Sequence, residues 1–158
     1  MKVIADRTRT VELDEFLTRP LFAHLATLAV DGPRDSPVWF LWEESCVWII
    51  GSDRTDSFPS RLRRDGRCAV GIVDFDRSSG LVQHVGIRGH ASVQRFDAER
   101  AQRLLARYLG EDQRRWDKRF LDTLGDPDNV FVRLVPDTVV ARDVSYEIVG
   151  MSRNCEAT

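Results

Sequence analysis

Cysteine is scarce in this sequence, and its three cysteines, Cys46, Cys68 and Cys155, stand far apart. No two of them have CxxC spacing and no histidine lies at metal-ligand spacing from them, so neither a disulfide framework nor a zinc site is indicated. We expect Cys46 and Cys68 to be buried as small apolar residues and Cys155 to be a free thiol in a polar tail. No metal is expected.

Long apolar runs are absent as well. No segment reaches the roughly 18 apolar residues that a membrane-spanning helix needs, and residues 1–10 lack the apolar stretch of a secretory signal. The sequence therefore predicts no membrane partner and a cytoplasmic location. The net charge of −2 gives no electrostatic reason to expect nucleic acid as a partner.

Several common catalytic motifs are also missing. There is no GxGxxG after a predicted strand and no phosphate-binding P-loop. The three histidines are scattered and form no recognisable triad with serine and aspartate, and His24, within an apolar strand, is expected to be a core residue. If the protein is an enzyme, a cofactor is expected to carry the chemistry while the protein positions it.

Apolar segments rich in Val, Ile, Phe and Trp predict about seven strands. Three of them follow one another with no room for a crossover helix, which argues against a parallel doubly wound sheet. The pattern favours a mainly β protein, an antiparallel barrel with flanking helices. The predicted strands are 21–30, 34–42, 46–51, 67–75, 81–96, 130–135 and 139–142.

Helical periodicity and capping residues predict four helices around these strands. Thr10 is the expected cap of the first and Asp97 of the third, and Gly86 and Gly89 suggest bends or close backbone approach in the longest strand. No repeat or linker divides the chain, so one domain is expected over residues 1–158. The predicted helices are 11–19, 57–64, 98–110 and 113–121, and the expected core and tail are 10–145 and 146–158.

The stretch 36–67 carries the strongest functional signal. Two apolar strands, joined by an acidic turn, are followed by six polar residues at 52–57 and an arginine-rich segment. Polar side chains crowded at a strand end are a frequent setting for a small-molecule site. We therefore expect a small-molecule ligand in this region.

The order and spacing of four strings resemble a known family. The strings are HLATLAVDG (24–32), SPVWFLW (36–42), SRLRRDGRCAV (60–70) and HVGIRGHASV (84–93). The chain resembles the pyridoxamine 5′-phosphate oxidase-like, FMN-binding split β-barrel family, which includes flavin-dependent oxidases and deazaflavin-dependent reductases. The resemblance covers residues 13–145 and implies an antiparallel split β-barrel that forms a homodimer, with two cofactor sites at the subunit interface.

The family's flavin motif can be compared with this chain position by position. The family's Arg-x-Val-Leu-Leu-Lys strand, Tyr-Thr pair and Ser-Arg-Lys run correspond to residues 36–41, 51–52 and 56–58 of this chain. The family's ring-contacting Gln corresponds to His84. Every basic residue of the family's phosphate grip is missing. Arg54, Arg61 and Arg63 are close enough in sequence to replace it. The resemblance implies cofactor contacts for Ser36, Pro37, Val38, Trp39, Gly51, Ser52, Asp56, Ser57, Phe58, Arg61 and His84.

Several of these residues have a structural alternative. Trp39 fits core or interface packing as well as a place beside the ring, and Ser52 fits either a strand end or a hydrogen bond to the ligand. Asp56 is expected to cap the helix that begins near 57, because a bare carboxylate would repel a phosphate. Trp116 fits packing or a lid on the substrate side.

Two functions remain open at this point. The first is a flavin- or deazaflavin-dependent oxidoreductase that acts on a small organic substrate by hydride transfer, with FMN, a deazaflavin or no cofactor in the cleft. True pyridoxamine 5′-phosphate oxidase activity is not expected, because residues 140–154 hold no counterpart of the substrate-phosphate arginines. The second is a binding module of the same fold, without catalysis, for a cofactor, a tetrapyrrole or another flat ligand.

Overall fold

A computed structural model describes residues 1–5 and 11–148 of the chain. The predicted cap Thr10, Cys155 and residues 149–158 of the predicted tail lie outside the described residues. The strands are β1 (Lys2–Ala5), β2 (Ala23–Ala29), β3 (Gly32–Val38), β4 (Leu41–Glu43), β5 (Cys46–Ser52), β6 (Arg67–Asp76), β7 (Leu81–Arg95) and β8 (Asn129–Asp143). The helices are α1 (Leu13–Thr18), α2 (Phe58–Arg64), α3 (Ala98–Leu109), a 3₁₀ turn (Gln113–Arg115) and α4 (Lys118–Thr123).

The strands that the structure describes form one sheet in the order β3-β2-β6-β7-β8-β5-β4. All neighbours in this order are antiparallel, whereas β1 pairs in parallel with the second half of β8. Inward-facing side chains alternate along the strands, as in Leu25, Val70, Val85 and Val139, and all four are almost completely buried. This periodicity of two gives the sheet one apolar face, which closes around the main core.

The last two predicted strands are one strand. β8 runs through residues 136–137, where the prediction had a turn, because β7 pairs with it on both sides. Gly89 lies opposite Pro136 and Arg88 opposite Thr138, so Asp137 is the extra residue of a β-bulge. A Cβ on Gly89 would lie 2.1 Å from the Val135 carbonyl oxygen, so the expected close backbone approach is confirmed at this glycine.

The predicted strand 34–42 is two strands, which was not foreseen. β3 pairs with β2, whereas β4 pairs with β5, and the chain changes partner at residues 39–40. The strand β1 was also missed, because its partner is more than 130 residues away along the chain. This change of partner opens the barrel between the free edge of β3 and the β4–β5 hairpin.

The helices differ from prediction mainly at their ends. Asp97 accepts hydrogen bonds from the amides of Glu99 and Arg100 and caps α3, as expected. The segment predicted as a helix over 113–121 is a 3₁₀ turn followed by α4, because Asp112 caps the first and Asp117 caps the second. No helix among the described residues is long and apolar enough to span a membrane.

Candidate functional site

One tyrosine links the segment that precedes β2 to the segment between β3 and β4. The Tyr108 hydroxyl of α3 donates to the Leu21 carbonyl oxygen at 2.8 Å and accepts from the Phe40 amide at 3.1 Å. Burial raises the pKa of Tyr108 above its usual value, so the hydroxyl stays protonated and able to donate. Tyr108 therefore fixes the point at which the chain leaves β3 for β4.

A cavity of about 330 Å³ lies at this opening. One side of it is formed by β3, the residue before β2, and the end of β5 with the following turn. The residues on this side are Phe22, Pro37, Val38, Trp39, Ile50 and Asp56. Five of the six are apolar side chains of a kind that favours a flat organic ligand.

Helices α2, α3 and α4 form the other side of the cavity. Phe58, Leu104, Leu105, Phe120 and Thr123 line it there. Trp39 stacks on Tyr108 with ring centroids 4.5 Å apart and on Phe120 with centroids 5.3 Å apart. The resulting wall is aromatic, and Asp56 is the one ionisable residue among those that line the cavity.

Arg61 lies beside this cavity in an unusual setting. Only 9% of the residue is exposed, and its guanidinium donates to three hydroxyl oxygens, those of Thr27 at 2.8 Å, Ser57 at 2.6 Å and Ser36 at 3.5 Å. No carboxylate among residues 11–148 pairs with it. We call these four residues the Arg61 cluster.

The two other candidate arginines are already paired with carboxylates. Arg63 makes two hydrogen bonds of 2.7 Å to Asp53, and this guanidinium holds the pKa of Asp53 below its usual value. Arg54 contacts Asp126 at 3.0 Å and Asp128 at 3.4 Å. Of the three arginines named from the sequence, Arg61 is the one with its charge uncompensated by a described carboxylate.

The predicted cap role of Asp56 is wrong. Ser57 occupies the N-cap position of α2 and makes no side-chain capping bond. The Asp56 carboxylate instead turns back and accepts from the Ser52 amide at 2.8 Å, while the Asp56 amide donates to the Ser52 carbonyl at 2.9 Å. These bonds close a tight turn, which directs Asp56 to the cavity and Ser57 to the Arg61 cluster.

Phe58 stands where the resemblance has a basic residue, and it acts as packing. It is 5% exposed and belongs to the main core. A Cβ on Gly51 would lie 2.9 Å from two atoms of the Phe58 ring. Because Gly51 has no side chain, the Phe58 ring of α2 has room to pack against the end of β5.

Two predicted site residues lie away from the cavity. His84 is on the outer face of the sheet, in a separate concavity of about 540 Å³ that His24 also lines. His24 was expected in the core, but its ring is exposed and lies 2.8 Å from Asp35. Trp116 is buried and its indole donates to the Gly110 carbonyl oxygen at 2.8 Å; Phe120 is the aromatic residue of this segment that lines the cavity.

Several residues of the site were not predicted from the sequence, among them Tyr108, Phe120 and Thr27. Tyr108 and Phe120 lie in the segments predicted as helices over 98–110 and 113–121, and helical spacing gives no indication of what a helix face contacts. Thr27 is a polar residue within the predicted apolar strand 21–30, and it is only 2% exposed. A buried hydroxyl requires a partner, and this requirement was the available signal.

Comparisons with known proteins bear on the fold. No protein-family model matches the chain, and no curated relative was found. A conserved hypothetical protein from Mycobacterium tuberculosis has a similar structure, with a TM-score of 0.66 and 19% identity over 91% of this chain and 94% of that one. An F420 reductase gives a TM-score of 0.63 and 20% identity over 83% of this chain and 98% of that one.

A FAD-binding protein from Mesorhizobium loti gives a TM-score of 0.57 and 15% identity over 81% of this chain and 87% of that one. The chain is a split β-barrel. Putative pyridoxamine 5′-phosphate oxidases and a haem storage protein from Vibrio cholerae share this fold. The fold that the resemblance implied is confirmed, and at these identities the likeness concerns the fold alone.

Proposed function

We propose that this split β-barrel binds a flavin-type cofactor, FMN or a deazaflavin, and uses it to oxidise or reduce a small organic molecule. The observation that carries the proposal is the Arg61 cluster, a buried guanidinium surrounded by hydroxyls and beside an aromatic-walled cavity. The F420 reductase and the FAD-binding proteins of the same fold support a cofactor of this kind.

The cluster fits the phosphate of such a cofactor. A buried cation without a counter-charge is costly, and a phosphate oxygen that accepts from Arg61 would gain about 1.5–3 kcal/mol per charge-assisted bond. The hydroxyls of Ser36 and Ser57, which already lie at the guanidinium, are further donors for phosphate oxygens. Arg61 is thus our candidate for the replacement of the family's phosphate grip.

The free edge of β3 fits the ring of the cofactor. Among the described strands, β3 has a partner on one side only, so those of its backbone groups that point away from β2 are open to hydrogen bonds from a ring's polar edge. Pro37, Val38 and Trp39 connect this edge to the cavity. When bound, the cofactor would supply the hydride chemistry, and the residues of this chain would hold the ring and keep water from one of its faces.

A homodimer is part of the proposal. Gly71 and Gly86 lie opposite each other on the outer sheet face, and a Cβ at either would meet nothing within 4 Å in its own chain. This open face, which includes His84, is suited to a second copy, and a partner there would bring His84 into an interface. Sedimentation equilibrium tests this assembly, with a monomer at 100 µM as the contrary result.

The main experiment compares FMN with riboflavin, which has the same ring and no phosphate. One charge-assisted bond predicts that FMN binds about 10- to 150-fold more tightly. Arg61→Gln is expected to reduce this ratio to near one, whereas Arg63→Gln, the same change on the same helix, is expected to keep it. Titration followed by flavin fluorescence measures both constants. Equal affinities in the unsubstituted protein would contradict the proposal.

A binding module without catalysis is the second candidate. The loss of a basic residue at Phe58 and the haem storage protein of the same fold favour it. Reduction of the bound flavin by dithionite, followed by transfer to an artificial acceptor, separates the two candidates. Turnover that exceeds the rate of free flavin supports the oxidoreductase, and tight binding at the rate of free flavin supports the module.

A further inference from the structure

Asp56 gives the cavity an electrostatic character that the cofactor does not explain. It is the one ionisable residue of the lining, and Thr123 is the one other polar side chain there. Its carboxylate accepts from the Ser52 amide, and no Lys, Arg or His among residues 11–148 forms an ion pair with it. The neighbouring Asp53 has such a partner in Arg63.

The rest of the cavity selects for a flat apolar body. Phe22, Trp39 and Phe120 supply aromatic surface, and Leu104 and Leu105 of α3 add aliphatic surface. Arg119 stacks on the Phe120 ring at 4.6 Å but does not line the cavity. A volume of about 330 Å³ lies at the small end of the usual range for ligand sites, so one or two fused rings are the expected size.

Charge then decides which flat molecules are favoured. A carboxylate or phosphate on the ligand would meet the negative charge of Asp56 with no cation in the lining. A protonated amine would instead meet the Asp56 carboxylate and aromatic faces, both of which attract cations. The two charged groups of the site are thus opposite in sign. Ser57 contacts the Arg61 guanidinium, whereas the preceding residue, Asp56, lines the cavity.

We infer that the cavity receives a small, planar, apolar organic cation as the substrate that reacts with the cofactor. The inference rests on the proposed function for the statement that this ligand is a substrate, but the binding itself requires no cofactor. It excludes phosphorylated and carboxylated substrates at this end of the site.

Three matched probes test the inference on the full chain without added flavin. 2-Naphthylmethylammonium, 2-naphthylmethanol and 2-naphthoate share one ring system and differ in charge. Isothermal titration calorimetry at pH 7 is expected to rank them cation, alcohol, anion, with the cation bound about fivefold more tightly than the alcohol, a ratio typical of a partly exposed ion pair.

Two variants identify the source of the ranking. Asp56→Asn keeps an oxygen for the Ser52 amide, so the turn is expected to survive while the cation loses its advantage and the alcohol is unaffected. Asp122→Asn, a change of a carboxylate on α4 that does not line the cavity, is expected to preserve the ranking. Equal binding of the probes, no binding of any probe, or a cation preference that persists in Asp56→Asn would each overturn the inference.

The outcome for the cofactor is separate. FMN that binds through Arg61 while the probes show no charge preference would refute this inference and leave the proposed function intact. A cation preference that depends on Asp56, in a protein that binds no flavin, would refute the proposed function and retain the cation site.

Discussion

Substitution of Tyr108 by phenylalanine tests whether its hydroxyl stabilises the backbone beside the site. The change keeps the ring that stacks on Trp39 and removes the hydroxyl that joins the Leu21 carbonyl and the Phe40 amide. Each of these neutral hydrogen bonds is worth about 1 kcal/mol net. We therefore expect a loss of about 2 kcal/mol, or more if the two buried backbone groups find no other partner.

Urea unfolding followed by far-ultraviolet circular dichroism measures this loss. With a slope of about 2 kcal/mol per molar urea, the midpoint should fall by about 1 M. Tyr146→Phe is the matched control, because Tyr146 is the other tyrosine of the chain and about half exposed. All samples need the same protein concentration, since dimer formation would shift the midpoint. Equal midpoints for the two variants would refute the role given to Tyr108.

The same residue predicts a dependence on alkaline pH. Because burial raises the folded-state pKa of Tyr108 above its unfolded value, its contribution to stability is complete below that unfolded value, about 10. The contribution is lost as the pH rises through the folded-state pKa. The unsubstituted protein should therefore lose more stability than Tyr108→Phe as the pH rises above about 10, and parallel losses would contradict the assignment.

Two further predictions concern packing and reactivity. Gly51→Ala would bring a Cβ to 2.9 Å from the Phe58 ring and should lower the free energy of unfolding in urea by about 1–3 kcal/mol. Gly125→Ala is the control, because a Cβ there meets open space, and it should change the free energy of unfolding by no more than about 0.5 kcal/mol. Equal effects would argue against the packing of α2 on Gly51. Burial raises the pKa of the Cys68 thiol to about 12, so at pH 8 it should react with iodoacetamide roughly a thousandfold more slowly than N-acetylcysteinamide in the same tube. Peptide mass spectrometry measures that rate, and comparable rates would show that Cys68 is accessible.

The strands were predictable because their apolar residues alternate or run continuously over a few positions. The division of 34–42 into β3 and β4 was not, because it consists of a change of pairing partner at residues 39–40, where the Phe40 amide is bonded by Tyr108, 68 residues away in the sequence. The same holds for β8, where turn residues at Pro136 and Asp137 form a bulge because β7 pairs on both sides of them. The sequence correctly indicated an irregularity at Pro136 and Asp137. Because β7 pairs on both sides of it, this irregularity is a bulge within one strand and not a turn between two.

The stretch 36–67, which the sequence analysis named as a candidate site, contributes residues to both the cavity and the Arg61 cluster. From the sequence, Arg54, Arg61 and Arg63 were all candidates for the phosphate grip, and Arg61 alone was also named as a cofactor contact. They differ because Asp53, Asp126 and Asp128 neutralise two of them, and two of those carboxylates come from a loop more than 70 positions away. Charge compensation is a property of the fold, so spacing alone had no means to separate the three arginines.

The pairing of β8 affects how the protein emerges from the ribosome. This strand pairs with β7, with β5 and, at its far end, with β1, which precedes every other strand. During synthesis the edges of β1, β5 and β7 that pair with β8 therefore remain unpaired until residues 129–143 leave the exit tunnel. Exposed strand edges of this kind invite pairing with other chains. Nascent chains that stall before β8 should therefore be aggregation-prone and depend on chaperones, however stable the finished barrel is.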